Sequence, residues 1–119
     1  MPRHEYNKLI RVGPSGPVFD LRIPTILEEK QIPFAVETMT TDEYRQALRQ
    51  KLMEEAQEAA EAEEADLIAE LADLLEVIDA TVIAYGLERD QVLACQAQRQ
   101  RERGGFSQQL RLLWTEVQA

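Results

Sequence analysis

Apolar residues recur at helical spacing through the middle of the chain, and this pattern predicts an all-α fold. Residues 34–85 contain no Gly or Pro, so no strong helix breaker interrupts that stretch. We expect a helix that begins near Glu43, with Thr41 or Asp42 as its N-cap. The helical pattern stops at Gly86, because glycine commonly terminates helices.

The phase of the apolar positions divides this stretch into two helices. A single helix would turn the second apolar stripe by about 120° from the first and leave one of them in water. Two antiparallel helices joined by a tight turn near residues 63–66 bury both stripes, with Asp66 as a possible cap. The first stripe contains Tyr44, Leu48, Leu52, Ala59 and Ala62, and the second contains Leu67, Leu71, Leu74, Leu75, Ile78 and Val82.

Shorter elements flank this predicted helical hairpin. Gly and Pro residues predict a loop over residues 12–18, and Pro24 suits the first turn of a short helix over residues 24–30. A third helix is expected over roughly residues 88–103, ending at Gly104 and Gly105. The tail, residues 106–119, has spacings that suit a helix and spacings that suit a strand, and the pattern does not decide between them.

The far side of the second helix of the hairpin carries small and apolar residues where a surface helix normally carries charge. Small residues allow close helix approach, so we infer a second packing face and a homodimer or homotetramer. This side contains Ala69, Ala72, Ala80 and Ile83, with only Glu76 and Asp79 charged.

Chain length and composition indicate one soluble domain. A chain of 119 residues supports one hydrophobic core, so we expect a single all-α domain over residues 1–119. Its parts are a loop-rich N-terminal segment (1–33), a helical core (43–103) and a tail (104–119). No apolar run approaches the roughly 18 residues of a membrane span, and no membrane partner is expected. Cys95 is the one cysteine, which favours the reducing cytoplasm.

The charge distribution argues against a nucleic-acid partner. The formal net charge is −9, whereas a nucleic-acid binder that is held by phosphate contacts needs a basic face. Acidic residues are concentrated between Glu54 and Asp90, where Arg89 is the only basic residue. Because His4 is the only histidine and Cys95 the only cysteine, any metal site must be built from carboxylates.

Glu55 is the most informative acidic residue. It falls in the middle of the first apolar stripe, within roughly 60° of every member. An ionised carboxylate there costs several kcal/mol of desolvation unless it is paired. The predicted facing helix offers no Lys or Arg, so the alternatives are protonation, a partner from elsewhere in the chain, or a metal ion.

Two carboxylate pairs on successive helices favour the metal ion. Glu55 with Glu58, and Glu70 with Asp73, each have the i, i+3 spacing that directs both side chains to one side of a helix. If the helices pack antiparallel, the four carboxylates converge, and hard oxygen donors select Mg²⁺ or Mn²⁺ over Zn²⁺. The alternative is an Ala/Glu-rich surface hairpin in which Glu55 is only partly buried.

Three motifs occur in order and cover most of the chain. Residues 54–58 read EEAQE and residues 70–73 read ELAD, which resembles the E-E-x-x-E … E-x-x-D signature of the all-α nucleoside triphosphate pyrophosphohydrolases. YNKLIR at 6–11, ELADLLEVID at 70–79 and RERGGF at 101–106 resemble a small MazG-like branch, the phosphoribosyl-ATP pyrophosphohydrolase-like house-cleaning proteins. In that branch the K-L-V-R of the first motif runs directly into D-K-I-P. In this chain Val12 and a Gly/Pro loop follow Arg11 instead.

The resemblance implies hydrolysis of a nucleoside triphosphate to a monophosphate and pyrophosphate, in clearance of unwanted nucleotides. Glu55, Glu58, Glu70 and Asp73 correspond to the Mg²⁺ ligands of the family, and Glu54 to the residue that holds or deprotonates the attacking water. An alternative within the superfamily is phosphoribosyl-ATP hydrolysis in histidine biosynthesis. An alternative of another class is a non-catalytic helical module whose acidic patch binds a basic partner.

Arginines near the end of the third helix are candidate substrate-binding residues. Arg99 and Arg103 lie within about 40° of each other on that helix, and arginine suits bidentate contact with phosphate oxygens. Lys8 and Arg11 are weaker candidates for the same role. The same arginines also suit a plain helix C-terminus, where carbonyl dipoles favour cations.

Overall fold

A computed structural model describes Val18 and residues 22–117 of the chain. These residues form α-helices and no strand, which confirms the all-α prediction for this part of the chain. The helices are α1 (Ile23–Glu29), α2 (Thr41–Glu61), α3 (Leu67–Ala84) and α4 (Arg89–Arg103), with a 3₁₀ turn at Glu64–Asp66. The predicted loop over residues 12–18 and the motif at residues 6–11 lie outside the described residues, apart from Val18.

A capping box fixes the start of α2. The hydroxyl of Thr40 accepts a 3.2 Å hydrogen bond from the backbone N–H of Glu43, and the Glu43 carboxylate accepts one of 2.9 Å from the backbone N–H of Thr40. The predicted caps, Thr41 and Asp42, were therefore wrong, because only Thr40 has Glu at the third helical position. These hydrogen bonds from Thr40 hold the pKa of Glu43 below its usual value.

The predicted break between two helices is present. Helix α2 ends at Glu61, and the 3₁₀ turn leads into α3 at Leu67. The predicted cap was wrong in its chemistry: Asp66 occupies the N-cap position but its side chain makes no capping hydrogen bond. Its backbone N–H instead donates a 2.9 Å hydrogen bond to the carbonyl of Glu63, which closes the turn.

Helices α2 and α3 pack antiparallel, and contacts at the far end from the turn hold them together. Near the start of α2, Arg45 Nε donates a 2.8 Å hydrogen bond to the carbonyl of Ala84 at the end of α3. One turn later, Arg49 Nε donates a 2.6 Å hydrogen bond to the Tyr85 hydroxyl. Both guanidinium groups also lie over the Tyr85 ring, 4.8 and 5.0 Å from its centroid.

The apolar core combines residues of three helices, and the predicted stripe of α3 is buried only in part: Leu74 and Ile78 are half-buried. Val77 of α3 is buried, whereas Leu71 and Leu75 of the predicted stripe are exposed. Val77 lies about 160° around the helix from Leu75 and shares its side of α3 with Asp73. The prediction was right for Val82, which is buried. The buried apolar residues are Ile23, Leu27, Leu48, Val77 and Val82.

The chain divides into two compact units between Leu87 and Glu88. In the second unit every residue of α4 is exposed, and the helix ends at Gly104, whose φ of +88° is the left-handed conformation that glycine adopts easily. The tail over residues 106–117 forms neither of the predicted alternatives, helix or strand. Within the described residues, no helix has the length and apolar character needed to cross a membrane.

Candidate metal centre

Helix α2 supplies a buried carboxylate at Glu55, as the apolar stripe predicted. The residue is only 2% exposed and lies on the same side of α2 as Leu48, two turns earlier. Burial on this scale is rare for a glutamate, because the ionised side chain loses its hydration. Glu55 is therefore not the partly buried surface residue that the alternative interpretation required.

Helix α3 brings two more carboxylates to the same place. Glu70 and Asp73, one turn apart and both half-buried, face α2. One carboxylate oxygen from each of Glu55, Glu70 and Asp73 lies within 4.8 Å of the other two. The structure thus brings together three of the four predicted ligands, from two helices.

A lysine that the sequence did not reveal as a partner lies next to this cluster. Lys51 Nζ lies 3.5 Å from Glu55 Oε1 and 3.5 Å from Glu54 Oε2, and the lysine side chain is only 11% exposed. The partner of Glu55 comes from α2 itself, one turn earlier, and not from the facing helix. The i, i+4 spacing of Lys51 and Glu55 was the available signal.

The remaining acidic candidates lie at the edge of the cluster. Glu54 has its side chain 38% exposed, with Oε2 buried beside Lys51 and the rest reaching solvent. Glu58 is half-buried one turn after Glu55 and does not belong to the three-residue group within the described part of the chain. Its role as a ligand and that of Glu54 in catalysis stay predictions.

The donor set fits a hard divalent cation. Ligand oxygens of an octahedral Mg²⁺ site, at about 2.1 Å from the ion, stand about 3 to 4.2 Å apart. The oxygens of Glu55, Glu70 and Asp73 lie within 4.8 Å of one another, which is close to that spacing. Three carboxylates so close together repel one another, and a cation between them relieves that repulsion.

The predicted substrate-binding residues lie in the second unit of the chain or outside the described residues. Arg99 and Arg103 are exposed on α4, in the second unit of the chain. Arg99 Nε donates to the sulfur of Cys95 at 3.5 Å, one turn earlier on the same helix. Lys8 and Arg11 lie outside the described residues. The phosphate-binding role of all four residues stays a prediction.

Comparison with known proteins adds no assignment to this geometry. No family model, no curated protein and no solved structure matches the chain. The functional argument therefore depends on the motifs of this sequence and on the arrangement of its carboxylates.

Proposed function

We propose that the protein is a Mg²⁺-dependent nucleoside triphosphate pyrophosphohydrolase. The observation that carries the proposal is the meeting of Glu55, Glu70 and Asp73 within 4.8 Å, from two antiparallel helices and with Glu55 buried. The same three residues are acidic positions of the motifs that resemble the MazG-like enzymes. Two independent features of the chain, its motifs and its packing, thus select the same side chains.

The three carboxylates, with Glu58 as a fourth ligand on the adjacent turn, hold Mg²⁺, and Mn²⁺ can replace it. Oxygen ligands alone favour these ions over zinc, which prefers sites with nitrogen or sulfur donors. A divalent cation at this place neutralises phosphate charge and activates water for attack. Since the chain carries a net charge of −9, a polyphosphate approaches it only with such cations between them.

In the reaction, water adds across the anhydride between the α and β phosphates, and the products are a nucleoside monophosphate and pyrophosphate. In this proposal Glu54 orients the water and takes its proton, and the role is supported by its partial exposure and its position next to Glu55 in the chain. Arg99 and Arg103, with Lys8 and Arg11, bind the phosphate groups in this proposal. Their guanidinium and ammonium groups supply charge that the acidic hairpin lacks.

We further propose that the enzyme assembles as a homodimer or homotetramer through α3. Ile68 and Ile83 on this helix are 83% and 76% exposed, and Leu75 between them is also exposed. Together they form a mostly apolar side of α3, which Asp79 interrupts between Leu75 and Ile83. Exposed apolar residues on one side of a helix are typical of protein interfaces. A second copy of the chain presents the same face, so a two-fold axis can bury both.

The direct test is pyrophosphate release from a panel of nucleoside and deoxynucleoside triphosphates with Mg²⁺, compared with EDTA. We expect Mg²⁺-dependent release by the wild type and none by Asp73→Asn, whereas Glu63→Gln, at an exposed position in the turn, keeps activity. Phosphoribosyl-ATP belongs in the panel, because hydrolysis of that substrate alone identifies the histidine-biosynthetic alternative. No release from any substrate, together with no Mg²⁺ binding in calorimetry, contradicts the proposal and favours an acidic interaction module.

A further inference from the structure

We propose that Lys51 is the built-in counter-cation of the carboxylate cluster, and that its ion pair with Glu55 weakens the binding of a divalent ion there. This inference rests on the proposed function, because it assumes that Glu55 is a metal ligand. It concerns a residue outside the E-E-x-x-E and E-x-x-D positions.

The contacts of Lys51 place its charge where a metal would act. Its ammonium group lies 3.5 Å from Glu55 Oε1, and Glu55 is one of the three residues whose oxygens converge. The lysine side chain is 11% exposed and the Glu55 side chain 3% exposed, so water screens this ion pair weakly. In the metal-free protein the pair reduces the repulsion among the clustered carboxylates.

A divalent ion and the lysine compete for the same carboxylate. An ion bound through Glu55 carries twice the charge of the ammonium group and approaches the oxygen to about 2.1 Å. Two cations on one carboxylate repel each other, so binding of the ion weakens the contact between Lys51 and Glu55. The metal affinity of the site is then lowered by the free energy needed to release the lysine.

Glu54 gives the displaced lysine an alternative partner. Lys51 Nζ already lies 3.5 Å from Glu54 Oε2, and the Glu54 side chain is 38% exposed. The flexible four-carbon stem of lysine lets its ammonium group shift toward Glu54 without leaving α2. Lys51 therefore stays in the site when metal is bound, and it then positions the carboxylate proposed to act on water.

The test measures metal binding and stability without any nucleotide. Lys51→Met removes the charge and keeps most of the apolar stem. Lys51→Arg keeps the charge and can bind a carboxylate more strongly, through two parallel hydrogen bonds. In titration calorimetry with Mn²⁺ alone, we expect Lys51→Met to bind at least about tenfold more tightly than the wild type, the scale of one close charge pair. We expect Lys51→Arg to bind more weakly than the wild type.

Thermal unfolding separates this role from a purely structural one. We expect Lys51→Met to unfold at a lower temperature than the wild type in EDTA, and the difference to shrink in saturating Mn²⁺. An equal loss of stability in both conditions, with unchanged Mn²⁺ affinity in both variants, overturns the inference. If Lys51→Met does not fold in EDTA, the Lys51→Arg titration decides, because tighter or unchanged Mn²⁺ binding by that variant overturns the inference as well.

The same measurements distinguish a failure of the enzymatic proposal from a failure of the counter-cation proposal. A wild-type protein that binds Mn²⁺, shows the opposite effects of the two Lys51 variants and hydrolyses no triphosphate contradicts the enzymatic proposal and supports the counter-cation. A protein that hydrolyses triphosphates, and whose metal affinity does not depend on Lys51, contradicts the counter-cation alone.

Discussion

Arg45 near the start of α2 donates a 2.8 Å hydrogen bond from Nε to the backbone carbonyl of Ala84 at the end of α3. This contact sets the register of the two helices along each other. Glu55 follows Arg45 by ten residues, and Asp73 precedes Ala84 by eleven. Because both helices rise by the same distance per residue, the contact at Arg45 places Glu55 opposite Asp73. A bond at one end of the hairpin thus aligns the carboxylates near the other.

We predict that Arg45→Met destabilises the fold. The variant loses the hydrogen bond to Ala84 and the cation–π contact with Tyr85, for an expected loss of about 1 to 2 kcal/mol in the free energy of unfolding. Urea unfolding followed by circular dichroism measures this loss. Arg111→Met, in the exposed tail, is the matched control and should leave the unfolding midpoint unchanged. Equal midpoints for both variants contradict the role of Arg45.

We predict that Glu55→Gln abolishes Mg²⁺ binding without destabilising the metal-free protein. Replacing the buried charge by a neutral amide removes its desolvation cost and its repulsion with Glu70 and Asp73. Lys51 loses Glu55 as a partner but keeps Glu54, whose Oε2 lies 3.5 Å from its ammonium group. The melting temperature in EDTA should therefore equal or exceed that of the wild type, and added Mg²⁺ should no longer raise it. Glu63→Gln, at an exposed position in the turn, is expected to respond to Mg²⁺ like the wild type. Retention of the Mg²⁺ response by Glu55→Gln shows that this residue is not a ligand.

We predict that replacing Asp73 and replacing Glu58 lower the Mn²⁺ affinity by different amounts. Asp73 belongs to the converging group and Glu58 lies outside it. Asp73→Asn should therefore lower the Mn²⁺ affinity strongly, and Glu58→Gln should lower it less. Titration calorimetry of both variants under the same buffer conditions makes the comparison. A larger loss from Glu58→Gln means that the metal-bound hairpin gathers all four carboxylates differently from the arrangement described here.

The sequence was sufficient to predict the helices and the convergence of three carboxylates, but not which side of α3 is buried. The phase change between Leu52 and Leu67 located the break, because a continuous helix cannot bury both apolar stripes. The predicted stripe assumed that the most apolar side of α3 faces α2. The prediction was right for the convergence of Glu70 and Asp73 with Glu55, whereas Leu75 of the predicted stripe is exposed. Hydrophobicity alone therefore located the buried side of α3 only in part.

Local charge pairing was the second feature that the periodic pattern could not reveal. Hydrophobic periodicity treats Lys51 as a polar interruption of the stripe, whereas its stem is buried and its ammonium group reaches Glu55.

The cap at Thr40 was missed for a similar reason. Thr40, Thr41 and Asp42 all have side chains that suit an N-cap, and only the position of Glu43 relative to Thr40 completes the reciprocal pair.

We predict that Thr40→Ala shortens or frays the start of α2 and lowers stability by about 1 kcal/mol, the usual value of an N-cap. The low pKa of Glu43 gives this effect a pH dependence. A carboxyl group whose pKa is lower in the folded than in the unfolded protein stabilises the fold above its unfolded pKa, and this contribution is lost as the pH falls through the folded pKa. The Thr40 backbone N–H, the larger cause of this low pKa, is still present in Thr40→Ala, and only the contribution of the hydroxyl is lost. The difference in melting temperature between wild type and Thr40→Ala should therefore shrink only in part in acid, below the usual pKa of glutamate. Thr38→Ala, at an exposed position before the helix, is the control.

We predict that a charge on the exposed face of α3 disrupts assembly. Ile68→Glu places a carboxylate at one end of the proposed interface, where packing against a second copy would remove it from water. Light scattering after size exclusion should show a homodimer or homotetramer for the wild type and a monomer for Ile68→Glu. Met53→Glu makes the same change at an exposed position of α2 and should keep the wild-type mass, so the effect belongs to the α3 face and not to added charge. A wild type that is monomeric at all concentrations removes the interface, whereas the carboxylate cluster, which lies within one chain, does not depend on it.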